Sequence, residues 1–165
     1  MKMPVKLDRG ERGAGASGPG EAAGERERES LRRGAGAAYA ALAWALVVCV
    51  AVQVLLAGMA VFVDPLNWVR HVAFVHVFEL IPVLMLILAV VARASRGQGL
   101  YLGPVLLWFL ISLQYAFADA GKTVVAALHP VNALVIFWYA VHVATRVRPV
   151  RLALRKVKDA DAAQA

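Results

Sequence analysis

Apolar residues in this chain of 165 fall into four long runs, and the polar positions inside each run are few enough to count. The first run, 37–63, reaches about 40 Å as a helix, more than the roughly 30 Å of hydrocarbon in a bilayer. It exceeds a signal-peptide core, usually about 7–15 residues, and it follows a long polar tail, so it predicts a retained span. The second run, about 71–92, is set off by Asp64, Pro65 and Asn67, which favour a turn. The third, about 100–118, follows Arg93, Arg96 and the stretch Gly97-Gln98-Gly99; the fourth, about 124–144, follows Asp119, Gly121 and Lys122. Connections this short make consecutive helices antiparallel neighbours. The expected fold is therefore all-α: a polytopic membrane protein built as a four-transmembrane-helix up-down bundle.

Charge changes this picture only by orienting it. The chain carries 18 Lys and Arg against 11 Asp and Glu, yet residues 37–144 hold only Asp64, Arg70, Glu79, Arg93, Arg96, Asp119 and Lys122. A soluble domain spreads about a quarter of its residues as charge over its surface, so a soluble enzyme is excluded. The N-tail 1–36 holds eight Lys and Arg, the 93–99 connection two and the C-tail six, against one in each opposite connection. Both termini are accordingly expected in the cytoplasm of a bacterial cell, with a multi-pass domain in its inner membrane. The basic balance marks topology rather than nucleic-acid binding. The first 36 residues, with eight of the thirteen glycines, are expected to be largely disordered. Only 25–33 has helical i,i+3 and i,i+4 charge spacing there, which extends the first helix. Arg146, Arg148, Arg151, Arg155, Lys156 and Lys158 form a basic segment suited to anionic lipid headgroups. Trp44, Trp68, Tyr101, Tyr115, Trp138 and Tyr139 fall mostly near span ends, as interface anchors do.

Inside the spans the polar exceptions are Gln53, His76, Glu79, Gln114, His129 and Asn132. Counted from the outer ends of the spans, His76 and His129 are each six residues down, Gln114 about five, Glu79 and Asn132 about nine, and Gln53 about ten. Four helices thus contribute to one polar layer in the outer half, where mutual contact or a bound ligand must satisfy them. His76 and Glu79 are i,i+3 on one face, and His129 and Asn132 repeat that spacing. Pro82 and Pro130 lie beside these patches and either kink their helices or, for Pro130, open the regular part of the fourth.

Three readings of the layer stand open. His76 and His129, on different helices at equal counted depth, supply the two axial imidazoles of one haem b, with Glu79, Asn132, Gln53 or Gln114 holding a ligand ring. Alternatively, Glu79, the one carboxylate inside a span, carries a proton or small-ligand path. In the third reading the protein is structural or accessory, without cofactor, and the layer fixes helix register. Other chemistry lacks its residues. Cys49 stands alone, so no covalent haem attachment or cysteine metal site exists. One His-x-x-Glu in reversed order does not make a di-iron site, no His-Glu-x-x-His is present, and Ser112 has no base at its spacing, so no enzymatic activity is assigned.

The run from Arg70 to His76, the third-span Gln114, and His129-Pro130-Val131-Asn132-Ala133 resemble a family of small four-helix bacterial membrane proteins known only as a domain of unknown function. That resemblance implies the fold over about residues 38–146 and brings no activity. The histidines on the second and fourth helices are also similar in architecture to one half of haem A synthase and to other four-helix haem b bundles. This second resemblance implies ligation of a haem between those helices.

Overall fold

The structure, a computed structural model, describes residues 19–92 and 99–146. They form α1 (Pro19–Phe62), α2 (Asn67–Phe78), α3 (Ile81–Val91), α4 (Gly99–Ala118) and α5 (Leu128–Arg146), with no strand among the described residues. Four stretches are long and apolar enough to cross a membrane, α2 and α3 together making one of them, Asn67–Val91. The connections 63–66 and 119–127 lie at one end of the bundle, which we call the upper end.

α1 starts well before its apolar run: residues 19–36 are helical, which includes the 25–33 segment expected to extend the first helix and goes beyond it on both sides. The span serves as a ready nucleus, and propagation outward needs only tolerable residues and charge pairs such as Glu29–Arg33, 3.9 Å apart. Residues 1–18 of that tail, the connection with Arg93 and Arg96, and the basic tail from Arg148 onward lie outside the described residues.

The second span is broken at Glu79 and Leu80. Pro82 has no N–H to give the Phe78 carbonyl, and it is tolerated in the first turn of α3, where such donors have no helical partner. The break divides the labour of the span: α3 packs on α1 and α4, whereas α2 packs on α1. The fourth span also begins later than its apolar run. Residues 124–127 are a series of i→i−3 turns, from Ala126 N–H to Thr123 O (3.1 Å) through His129 N–H to Ala126 O (3.0 Å). Gly121 enters them with a left-handed φ of 65°. Helix α5 opens only at Leu128, with Pro130 in its first turn.

The lower half holds the close packing. Tyr39, Ala43, Leu46, Val47, Met85, Ala89, Leu107, Ile136, Ala140 and Val143 form one buried cluster. Small residues bring backbones together there: a Cβ placed on Gly103 would stand 3.2 Å from Val143 Cγ2. Leu55, Val77, Ile87, Phe109, Leu134 and Trp138 point outward, the arrangement of a bundle whose solvent is lipid. The tight lower half and the divided second span leave the upper half to the polar residues.

Candidate functional site

Two glutamines and two histidines make the same exchange twice in the upper half. Between α1 and α2, Gln53 Nε2 donates to the His71 carbonyl at 2.9 Å, and His71 Nδ1 meets the Gln53 carbonyl at 3.1 Å. Between α4 and α5, Gln114 Nε2 donates to the His129 carbonyl at 2.8 Å, and His129 Nδ1 meets the Gln114 carbonyl at 3.2 Å. A carbonyl only accepts, so each Nδ1 carries the hydrogen, and in the neutral ring Nε2 holds the lone pair. Neither Nε2 has a hydrogen-bond partner among the described residues. The two rings face one another with centroids 6.3 Å apart and 52° between their planes. Trp68 closes on His71 edge-on, its ring centroid 5.3 Å away.

The halves differ in one acceptor. Asn132, buried on α5, donates through Nδ2 to Gln114 Oε1 and also to the Leu110 carbonyl at 2.9 Å. The equivalent step from His71 reaches Phe74, which has nothing to donate, and Gln53 Oε1 is buried without a partner among the described residues.

Below this pair of exchanges sits a second cluster. Glu79 Oε1 receives His76 Nδ1 at 3.1 Å, and Glu79 Oε2 receives the Tyr115 hydroxyl of α4 in a short hydrogen bond. The His76 and Tyr115 rings stack, centroids 6.2 Å apart and planes 23° apart. At the rim, Asn67 is buried in the turn, donating to the Asp64 carbonyl at 3.0 Å and accepting Arg70 Nη1 at 2.9 Å. The six predicted residues therefore divide. Gln53, Gln114, His129 and Asn132 belong to the upper exchanges, and His76 and Glu79 to the lower cluster.

The expected pairing of His76 with His129 is corrected: the ring facing His129 is that of His71. Equal depth follows from the edges of the apolar runs, but α2 starts at Asn67 and α5 at Leu128. His129 thus lies at the mouth of the bundle, level with the histidine that opens the second apolar run. His71 shares the i,i+3/i+4 stripe of Phe74, Phe78, Pro82, Met85 and Ala89, but the other faces of the span are as apolar, so the sequence does not single that stripe out. Tyr115, read as an interface anchor, is a hydrogen-bond partner of Glu79 instead.

Among the described residues no three His, Cys, Asp or Glu side chains converge as ligands for a bare metal ion. Two imidazoles are enough only for a metal that arrives with other ligands.

Residues 53–121 match DUF6220, a family of unknown function, in keeping with the resemblance to a domain of unknown function. The matched stretch ends before His129. No curated protein and no solved structure matches the chain.

Proposed function

We propose that this membrane protein binds one haem b at the upper end of its bundle, with His71 and His129 as axial ligands, and serves electron transfer or haem handling there. The observation that supports this reading is the spacing of the two rings, 6.3 Å between centroids. An iron between two imidazoles needs about 6 Å: roughly 2 Å for each metal–nitrogen bond, and about 1 Å from each nitrogen to its ring centre. The rings are also prepared as ligands. Each gives Nδ1–H to a backbone carbonyl, which fixes the tautomer and the ring orientation and leaves Nε2 for the metal. Arg70, next to His71 in the chain and bonded to Asn67 Oδ1 at 2.9 Å, would supply a cation for a propionate. With termini in the cytoplasm, as the Lys and Arg distribution favours, the site opens to the outer face of the bacterial inner membrane.

The test is the absorption spectrum of detergent-purified protein made with haem supplied. A Soret band is expected, lost in the His71→Ala, His129→Ala double variant and retained in His76→Ala. A band that survives the double variant, or one that His76→Ala alone removes, overturns the assignment.

A structural reading rests on the same bonds. The Gln–His exchanges close without any ligand, and each ties the two helices of one hairpin together. It predicts no Soret band and similar losses of stability from His71→Ala and His129→Ala.

A further inference from the structure

We propose that the face of α2 and α4 bearing His76 and Glu79 is the contact surface for a second copy of this chain, so that the protein stands in the membrane as a two-fold dimer. Neither haem nor the pair of His71 and His129 takes part in this contact.

The depth and the exposure of the two side chains do not fit a face left to lipid. Glu79 lies twelve residues from each end of the span Asn67–Val91, near the middle of the membrane. His76 is nine residues in from Asn67, about 13 Å along the helix. The stripe of α2 that carries His76 also carries Val69, Val72 and Leu80, all exposed, so it is on the outside of the bundle. There 56% of the His76 side chain and 30% of that of Glu79 are uncovered. Ionisable groups at this depth are costly unless protein or water meets them.

Within one chain their hydrogen bonding is incomplete. His76 Nδ1 gives its hydrogen to Glu79 Oε1 at 3.1 Å, and the Tyr115 hydroxyl gives its own to Glu79 Oε2. With Glu79 held as the carboxylate, a protonated His76 balances its charge, and that ring carries a second N–H on Nε2. Nε2 has no hydrogen-bond partner among the described residues, and each Glu79 oxygen, with one donor, keeps a lone pair to spare. The face thus offers both a donor and an acceptor.

That self-complementarity identifies the occupant. A phospholipid does not meet these groups, because its polar atoms stay in the headgroup region. A different protein meets them only if it carries polar groups of its own at the same depth. A second copy does so by symmetry. Two chains inserted the same way are related by an axis along the membrane normal, which sets each His76 within one helical turn of the other copy's Glu79. The four groups then close as two imidazolium ions and two carboxylates, with no net charge. Shape agrees with this. One turn above His76, Trp68, Val69, Val72 and Ala73 line a shallow apolar hollow. On α4, Ser112 and Ala116 beside Tyr115 are small and exposed, which lets backbones approach.

Disulfide cross-linking of the full chain in its native membrane, with Cys49→Ala as background, tests the contact. Val72→Cys is expected to form a two-chain adduct, whereas Leu134→Cys, equally open to lipid on α5, is not. In mild detergent, light scattering should find two chains per particle for the unaltered protein. His76→Leu combined with Glu79→Leu removes both bonds across the axis and should weaken dimerisation roughly tenfold, read on dilution. Val72→Trp makes none of the bundle's own hydrogen bonds, so it should also weaken the dimer while helix content by circular dichroism stays unchanged, which separates lost docking from lost folding. Single chains at every concentration without a Val72 adduct overturn the inference. So does a two-chain particle that both variants leave intact, an adduct at Leu134 in place of Val72, or a Val72 adduct with a different protein.

Discussion

At the scale of single residues, the two glutamines look equivalent in the sequence and are not equivalent in the fold. Each gives Nε2–H to a histidine carbonyl, at 2.9 Å from Gln53 and 2.8 Å from Gln114. Only Gln114 has its oxygen satisfied, by Asn132. Side-chain hydrogen bonds between membrane helices are worth about 0.6 kcal/mol on average and about 1.7 at most. A buried polar atom without a partner costs in the other direction. Gln53→Leu loses one bond and relieves one unpaired oxygen, so it should change stability by no more than about 0.5 kcal/mol. Gln114→Leu loses two bonds and takes an acceptor from buried Asn132, so it should cost roughly 1–2 kcal/mol. Unfolding of both variants in mixed detergent micelles, without haem, checks this order. Equal losses would show that the unpaired oxygen of Gln53 carries no cost.

At the scale of elements, the break in the second span decides what the histidines can do. α3 packs against α1 and α4, α2 against α1, and the break in helical hydrogen bonding falls at Glu79 and Leu80, just before Pro82. Pro82→Ala restores the donor that the Phe78 carbonyl lacks, and alanine is tolerated in a first helical turn, so the variant should fold. With the span straightened, the distance between spin labels at the exposed positions Val69 and Val131 should shift, and the Soret band should weaken as His71 leaves its place opposite His129. An unchanged distance would mean that packing, not proline, sets the bend. Elements also mark the limit of what could be read beforehand. The four spans and the six polar residues within them were legible because polar side chains stand out in so apolar a background, but their division into two clusters was not. The facing of His71 was not, since a span apolar all round gives no moment by which to choose its inner side. The late start of α5 was hidden for a related reason: residues 124–127 are as apolar as a span and yet form turns.

At the scale of the whole molecule, the asymmetry is between a close-packed lower half and a polar upper half, and the side of the membrane each faces gives the site its purpose. α1, with 44 residues, is about 66 Å long, so roughly half of it lies beyond a 30 Å hydrocarbon layer, and its charged end projects at the lower end of the bundle. That projection, together with the eight Lys and Arg of residues 1–36 and the six from residue 146 onward, stands against Arg70 and Lys122 at the upper end. On the positive-inside bias we propose that the lower end faces the cytoplasm. Alkaline phosphatase inserted after Lys122 should then be active in intact bacterial cells, and a fluorescent protein fused after Ala165 should fluoresce, because each folds only on its own side. The reverse pattern would turn the histidine pair and Glu79 towards the cytoplasm. Any partner that exchanges electrons or haem with the proposed site would then have to be sought on that side.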